Sequence, residues 1–421
     1  MTAFEYRHGR LHCEGVPLER IAEQVGTPVY VYSAGAITSL YRAYEQALDG
    51  MPHLVCYAVK ANMNLAVLSL LARLGAGADV VSGGELFRAL RAGFEPRKIV
   101  FAGVGKTREE IREGLKADVL TINVESPAEL HVVDEEARAH GGRARVAFRV
   151  NPDIDPQTHP SNATGLKTSK FGVPYREARD LYRQATALAG IEVVGIHMHI
   201  GSQLTKVTPV ADSLTRLSEL IEQLASDGIR LSYVDVGGGL GIRYRDETPP
   251  APGEYVRTLQ PALGRLGLTV LLEPGRSIVG NAGALLARVI YRKATEGKRF
   301  VIVDAAMNDL IRPALYNAHH EIWPVAEAPA TSGREVVDVV GPVCESGDFL
   351  AQERALPPVG AGDLLAVLSA GAYGFAMASN YNARSRAAEV MVSGERFQVV
   401  RRRESYEDQM VGERSGVEVL G

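Results

Sequence analysis

The chain has 421 residues, of which 46% are hydrophobic and 23% are charged, and its formal net charge is −4. This composition predicts a folded protein with a large core and room for two domains, and it argues against disorder. Charges of both signs alternate along the chain without a basic stripe, so we expect no nucleic-acid partner.

The cysteines and the N-terminus bear on the compartment. Cys13, Cys56 and Cys344 are too few and too scattered for a disulfide framework or a zinc site, which favours a reducing environment. Residues 1–15 lack the apolar core of a secretion signal, and no apolar run approaches the ~20 residues that cross a bilayer. We therefore expect a cytoplasmic protein with no membrane partner.

Short apolar runs and helical patterns alternate through the first two thirds of the chain. Residues 1–27 contain short strand-like segments, and residues 34–48 have the period of an amphipathic helix. The predicted strands that follow are 54–59, 78–81, 98–101, 119–122, 145–150, 193–197, 233–236 and 268–272. The predicted helices between them are 65–74, 85–92, 108–115, 127–139, 176–188, 210–225 and 255–266. This α/β alternation predicts a parallel sheet, and eight strands match a closed (β/α)8 barrel of the TIM type, with an open doubly wound sheet as the alternative.

The alternation stops near residue 280. The strand-like segments beyond it are 284–294, 299–304, 335–340, 363–369, 387–392 and 397–400. We predict a barrel over residues 28–283 and a C-terminal all-β domain, a β-sandwich or β-barrel, that combines residues 284–421 with residues 1–27. The loop 151–172 is long for a βα connection, and loops of that length are usually functional or mobile.

Lys60 follows the first predicted barrel strand directly. A lysine at the end of a buried strand must find a partner, shift its pKa or take part in chemistry, and desolvated lysines of this kind form Schiff bases. Judged on this segment alone, a lysine that reaches the surface and forms an ion pair is more common than one that forms a Schiff base. The other strand ends change that balance, because the active site of such barrels lies at the carboxyl ends of the strands.

Three further strand ends carry reactive side chains or glycines. The run 237–239 is Gly-Gly-Gly, which could be a tight turn or a nest of backbone N–H groups for a phosphate. Glu273 could form a structural ion pair with Arg276, or it could keep the nitrogen of a pyridine ring protonated. Of His197 and His199, one can be a core residue while the other lies on a cofactor ring. No third ligand recurs near them in sequence, so we expect no metal.

The second domain contains three polar turns of interest. Cys344 and Glu345 place a thiol beside a carboxylate, a better setting for acid chemistry than that of a buried cysteine. Tyr373 lies between glycines and could donate to a phosphate or cap a core. Arg312 and Tyr316 are four residues apart and share a face if that segment is helical.

Taken together, these motifs resemble those of the fold-type III pyridoxal-phosphate decarboxylases, whose architecture is alanine racemase/ornithine decarboxylase-like. They are YAVKAN at 57–62, SKFG at 169–172, HIGSQ at 199–203, GGGLG at 237–241, EPGR at 273–276, CESGDFL at 344–350 and GAYGF at 371–375. They span nearly the whole chain in the order expected of the family.

The resemblance implies a cofactor, pyridoxal 5′-phosphate, and a role for each matched residue. Lys60 would hold the cofactor covalently, His199 would stack on its ring and Glu273 would pair with the ring nitrogen. Cys344 would protonate the carbon that has lost its carboxylate. The residues expected around the phosphate are Ser202, Gly239, Gly275, Arg276 and Tyr373. Related enzymes draw Cys344 and Glu345 from the partner subunit, so the resemblance also implies a homodimer with shared active sites, to whose interface the second domain contributes.

The resemblance further implies the substrate, meso-2,6-diaminopimelate, which would lose CO2 to give L-lysine in the last step of bacterial lysine biosynthesis. The residues expected at the substrate are Arg276, Arg312, Tyr316, Glu345 and Tyr373, with the arginines and Tyr316 on the distal carboxylate and Glu345 on the distal ammonium. Alternatives are a related decarboxylase acting on ornithine, arginine, a D-amino acid or a carrier-bound glutamyl group. A racemase is disfavoured because racemases of this group place an arginine at the ring nitrogen. A non-catalytic relative is disfavoured because Lys60 and Cys344 are both present.

Overall fold

The computed structural model describes residues 3–155, 169–329 and 331–414. The chain divides into two compact units. One is Ala36–Gly280, and the other combines Met1–Gly35 with Asn281–Gly421. Every helix within the described ranges is too short or too polar to cross a membrane.

The N-terminal segment forms small elements before the barrel begins. They are β1 (Phe4–Arg7), β2 (Arg10–Cys13), β3 (Val16–Pro17), α1 (Leu18–Val25), β4 (Val29–Ser33) and α2 (Ala34–Leu48). Strands β1, β2 and β3 pair as a small antiparallel sheet. Helix α1 was not apparent from the sequence pattern, whereas α2 has the predicted bounds.

The barrel unit alternates strands and helices as predicted. Its elements are β5 (His53–Ala58), α3 (Leu65–Arg73), β6 (Gly77–Val80), α4 (Gly83–Ala92), β7 (Ile99–Phe101), α5 (Arg108–Ala117), β8 (Thr121–Val124), α6 (Pro127–Ala139), β9 (Ala144–Asn151), β10 (Val173–Pro174), α7 (Tyr175–Thr186), β11 (Ile191–His197), α8 (Thr208–Ser226), β12 (Tyr233–Asp235), α9 (Pro252–Leu266), β13 (Thr269–Leu272) and α10 (Arg276–Val279). Leaving aside the two-residue β10, eight parallel strands pair in sequence, and β13 pairs with β5 to close the ring. The predicted (β/α)8 barrel is therefore confirmed, and the open sheet is excluded.

The second unit is predominantly β, as expected. Its elements after the barrel are β14 (Gly283–Thr295), β15 (Lys298–Val303), α11 (Arg312–Tyr316), β16 (Ile322–Pro324), β17 (Glu335–Val340), β18 (Phe349–Leu356), β19 (Leu364–Val367), β20 (Ala388–Ser393), β21 (Arg396–Arg401) and α12 (Tyr406–Gln409). The main sheet has the order β18-β17-β15-β14-β4-β20-β21. Strand β4, which the sequence pattern placed within the barrel domain, pairs here with β14 and β20. Most of the predicted long loop, residues 156–168, lies outside the described residues.

Polar caps keep the connections at the carboxyl end of the barrel short. The side chain of Asn64 accepts a hydrogen bond from the Ala66 N–H at the start of α3, and Ser82 does the same for Glu85 in α4. Thr107 and Glu110 form a reciprocal capping box at α5. Because these side chains satisfy the first N–H groups of the helices, each helix can begin within a few residues of its strand. The side chains at the strand ends are thereby held on a rigid frame.

Candidate active site at the carboxyl ends of the barrel strands

Lys60 forms an ion pair with an aspartate of the neighbouring strand. Strand β5 ends at Ala58, and Lys60 lies in the single helical turn Val59–Ala61 that follows. Its Nζ lies 2.7 Å from Oδ2 of Asp79 in β6, whose side chain is fully buried. Burial, followed by the nearby Glu273, raises the pKa of Asp79, and Lys60 acts in the opposite direction. Lys60 therefore presents an amine that is oriented from one side by a buried carboxyl group.

Glu273 lies just beyond β13 and is almost fully buried. Its Oε2 is 3.3 Å from Nε2 of His197, a charge contact without good hydrogen-bond alignment. Burial alone would raise the pKa of Glu273, but His197, followed by Lys60 and His199, lowers it well below the usual range. Its Oε1 is buried and has no hydrogen-bond partner among the described residues. The site therefore offers an ionised carboxylate with an open acceptor position.

Asp235, at the end of β12, lies beside this pair. Its Oδ1 accepts a 2.8 Å hydrogen bond from the Gly237 N–H. Burial and then the Glu273 carboxylate raise the pKa of Asp235 well above its ordinary value. Two neighbouring carboxyl groups are thus driven in opposite directions, which favours a proton on Asp235 and a charge on Glu273.

His199 is held as a neutral imidazole. Its Nδ1 is 3.2 Å from the backbone nitrogen of Gly238, and since an N–H group can only donate, Nδ1 accepts. Burial, followed by the positive charges of Arg149 and Lys60, lowers the pKa of His199 well below its usual value. A neutral, oriented ring is suited to lie against a flat aromatic ligand.

The glycines at 237–239 leave no room for side chains. A Cβ on Gly238 would lie 2.1 Å from the carbonyl oxygen of Glu273, and a Cβ on Gly239 would lie 2.2 Å from that of Gly201. Gly239 also has a φ of 103°, which side chains rarely allow. Gly275 is similarly confined, since its Cβ would lie 2.9 Å from the Cβ of Ala58. The backbone of these turns is therefore packed closely around the rim, as a phosphate-binding cradle requires.

Arg276 is the cation of this cradle. Its Nη2 donates to Oγ of Ser202 at 2.9 Å, and its Nη1 donates to the hydroxyl of Tyr244 at 2.6 Å. Residue Arg276 is 8% exposed, so its charge is largely withdrawn from water. A fixed guanidinium beside a hydroxyl is a suitable site for a phosphate group.

The remaining predicted site residues lie in the second unit. Arg312 is buried in α11, whereas Tyr316 at its end is exposed. Cys344 and Glu345 are both exposed, and the backbone nitrogen of Cys344 donates to Oδ1 of Asn382 at 2.7 Å. Tyr373 is half-buried with a φ of 55°. The barrel unit brings the other seven predicted residues to one rim, and the roles of all twelve stay predictions.

The sequence pattern missed several partners of these residues. Asp79 and Asp235 were visible only as strand ends, and their contacts depend on closure of the barrel. Tyr244 follows β12 in a loop without periodicity. No third ligand recurs near the histidines in sequence, but in the folded chain ligand atoms of His197, Asp235 and Glu273 lie within 4.8 Å of one another. A metal ion there would compete with a pyridine nitrogen for Glu273.

Three observations from the structure indicate that the residues at the rim fit pyridoxal phosphate. Glu273 Oε1 is a buried carboxylate oxygen with no N–H donor in hydrogen-bond reach among the described residues. The glycine turns and Arg276 form a cradle for an anion. Lys60 supplies an amine at the end of β5.

Comparisons with known proteins identify the family of this chain. Residues 34–280 match the family model described as the pyridoxal-binding domain of pyridoxal-dependent decarboxylases. Diaminopimelate decarboxylase of Pseudomonas aeruginosa is 56% identical over 98% of this chain and 99% of that protein. The enzyme of the same name from Aquifex aeolicus is 50% identical over 96% of this chain and 95% of its own length.

Solved structures give the same result. Diaminopimelate decarboxylase of M. jannaschii in complex with L-lysine superposes with a TM-score of 0.93 at 39% identity, covering 98% of both chains. The Helicobacter pylori enzyme with L-lysine has a TM-score of 0.90 at 43% identity, covering 94% of this chain and 98% of that one. The chain therefore belongs to the family of pyridoxal-dependent decarboxylases. It is a carboxy-lyase that uses pyridoxal phosphate and acts on an amino acid.

Proposed function

We propose that this enzyme decarboxylates meso-2,6-diaminopimelate to L-lysine and CO2, the last step of bacterial lysine biosynthesis. The observation that carries the proposal is the 56% identity to an enzyme of that activity over 98% of the chain, which extends through both units. We infer a cytoplasmic location for the enzyme, because Cys13, Cys56 and Cys344 are all free thiols, as is usual in a reducing compartment.

The barrel residues have distinct tasks in this reaction. When bound, the coenzyme supplies an aldehyde for the substrate amine and a ring that accepts the electron pair left by the departing carboxylate. Lys60 would hold the coenzyme covalently, and Asp79 orients its amine. Glu273, kept ionised by His197, retains a proton on the ring nitrogen. His199 supports one face of the ring without adding charge.

The rim cradle fixes the phosphate end. Ser202 and Arg276 would donate to the phosphate, and the backbone N–H groups of Gly239 and Gly275 would add further donors. The family resemblance also implies a phosphate contact for the hydroxyl of Tyr373. Anchoring the phosphate would restrict how the coenzyme can lie in the site and so position the substrate for the reaction.

Residues of the second unit provide the acid and the specificity. Cys344 gives a proton to the carbon from which CO2 has left. Arg312, Tyr316 and Arg276 bind the distal carboxylate of the substrate, and Glu345 binds the distal ammonium. Ornithine has only an ammonium at that end, so two arginines disfavour it.

Measuring CO2 and the amine product with several amino acids tests the activity. The loaded enzyme should release CO2 and equimolar L-lysine from meso-diaminopimelate, and little or none from L-ornithine, L-arginine or L-lysine. CO2 release from ornithine but not from meso-diaminopimelate would reject the proposed substrate.

The exposure of Cys344 and Glu345 favours a homodimer in which each subunit completes its partner's site. Co-expression of Lys60→Ala and Cys344→Ala chains, each with its own affinity tag, tests this arrangement. Randomly mixed dimers should regain about a quarter of wild-type activity, because half of them contain one intact site of two. Each variant alone should be nearly inactive. No recovery in tandem-purified mixed dimers would mean that Lys60 and Cys344 serve the same chain.

A further inference from the structure

His320 contacts the predicted substrate-binding arginine inside the second unit. Nη1 of Arg312 lies 2.8 Å from Nε2 of His320, and both residues are buried, at 7% and 0% exposure. On its other side, Nδ1 of His320 lies 2.8 Å from the carbonyl oxygen of Leu368. The imidazole therefore bridges a guanidinium and a backbone carbonyl.

The chemistry of the two partners assigns the protons on this ring. A guanidinium has only donors, so Nε2 must be the unprotonated acceptor. A carbonyl only accepts, so Nδ1 carries the hydrogen and donates to Leu368. Both contacts are satisfied together by one form of the ring, the neutral Nδ1–H tautomer. This form fixes the guanidinium and leaves its positive charge intact. A carboxylate in the same place would neutralise that charge.

The local chain path brings the two residues together. Arg312 begins α11, and Asn317 ends it in the left-handed conformation with a φ of 51°, which reverses the chain. The following strand, β16, pairs with β19, so His320 lies next to Leu368 at the end of that pair. Nη1 of Arg354 in β18 donates to the His320 carbonyl oxygen at 2.7 Å. The imidazole is thus held by the carbonyl of Leu368 next to β19, and the His320 backbone is held by Arg354 of β18, while α11 is a single short turn.

We propose that His320 is a positioning residue for substrate specificity, which holds the Arg312 guanidinium aimed at the distal carboxylate of the substrate. The inference rests on the proposed function, because it takes Arg312 as a ligand of that carboxylate. Fixing the arginine before the substrate arrives removes an ordering cost that binding would otherwise incur. The effect falls on substrate affinity, because the distal carboxylate does not change during the reaction.

Two substitutions separate positioning from a structural role. In His320→Gln, the amide reaches the position of Nε2 and can still accept from Arg312, but it leaves Leu368 without its donor. In His320→Asn, the shorter amide can still donate to Leu368 but no longer reaches Arg312. We expect the asparagine variant to raise the KM for meso-diaminopimelate at least about tenfold, since a hydrogen bond to a charged group is lost. We expect the glutamine variant to stay within about threefold of wild type, and kcat to change little in both.

A second readout does not depend on turnover. L-lysine keeps the distal carboxylate, so its affinity for the loaded enzyme, measured by calorimetry, should weaken in His320→Asn in parallel with KM. Thermal unfolding should show the opposite order, with His320→Gln the less stable variant. Full coenzyme loading in both variants would confirm that the barrel site is intact.

The reverse order of the two variants in KM and in lysine affinity would overturn the proposal and assign His320 to the fold alone. Wild-type KM and lysine affinity in a folded His320→Asn variant would also overturn it. Failure of the proposed function is separate, because it would appear as absent turnover of meso-diaminopimelate by the wild-type enzyme.

Discussion

Asp79 of β6 holds Lys60 from one side, with 2.7 Å between Oδ2 and Nζ, although the aspartate side chain is fully buried and the lysine side chain is 36% exposed. The buried carboxyl group thus orients an amine on a side chain that is still partly exposed. Such an arrangement is suited to an amine that must leave one covalent partner and later return to it, because the aspartate keeps it in place between the two events.

Asp79→Asn should preserve coenzyme binding but slow turnover. The amide keeps the shape of the carboxyl group and removes its charge, so Lys60 retains at most a neutral hydrogen bond and loses the ion pair that orients it. We expect kcat/KM for the amino-acid substrate to fall about 100-fold, the size of effect that a misplaced catalytic group produces. Steady-state CO2 release and the coenzyme content per chain check this.

Asp338→Asn is the matched control. Asp338 pairs with Lys298 in the second unit at the same 2.7 Å distance between Oδ2 and Nζ, and no chemical role is assigned to this pair. The control should retain wild-type turnover. Equal activity of the Asp79 and Asp338 variants would contradict the role given to Asp79.

Glu273→Gln should abolish most activity while the coenzyme remains attached. The neutral amide cannot keep a proton on the ring nitrogen, so the ring becomes a poorer acceptor for the electron pair left by CO2. We expect kcat to fall by at least about 100-fold, typical of the loss of one preorganised electrostatic contact. Absorbance of the bound coenzyme should persist at a shifted wavelength. Wild-type kcat in this variant would show that the carboxylate is dispensable.

Glu85 makes the stability of the barrel depend on pH. Its Oε2 accepts a 2.9 Å hydrogen bond from the Val81 N–H, and burial raises its pKa from 4.5 to about 7. Between pH 4.5 and 7 the folded protein keeps a proton that the unfolded chain has released. The contribution of Glu85 to stability is therefore fully present below pH 4.5 and is lost as the pH rises to 7, by at most about 3 kcal/mol.

Glu85→Gln removes this titration. The Tm difference between the variant and the wild type, measured between pH 5 and pH 8 in one buffer series, should move in favour of the variant as the pH rises. A difference that stays constant across the series would show that Glu85 has an ordinary pKa in the folded protein.

The barrel was predictable from the sequence because each strand is a short apolar run followed by a helical period. The strands outside this regular alternation were harder to predict. Strand β4 was not among the predicted strands and lay inside the predicted barrel domain, yet it pairs with β14 and β20 in the second sheet, and only long-range pairing determines this. Strands β16 and β18 lie among polar and turn residues, so their patterns are weak.

The site residues likewise divide into those that the sequence predicts and those that it does not. Lys60, His199 and Glu273 were recognisable because they follow predicted strands whose ends meet at one rim. Their partners were not, since the pairing of Lys60 with Asp79, and of Glu273 with His197, depends on which strands are neighbours in the closed barrel. The contact of Arg312 with His320 depends on a chain reversal at Asn317 that has no sequence period.

Locating the coenzyme on the chain tests the central claim most directly. Purified protein loaded with pyridoxal phosphate is reduced with borohydride, digested and analysed by mass spectrometry, with the Lys60→Ala variant treated in parallel. The account predicts one modified peptide, with the coenzyme on Lys60, and no modification in the variant. Coenzyme attached to a different lysine, or a wild-type protein without covalent coenzyme, would contradict it.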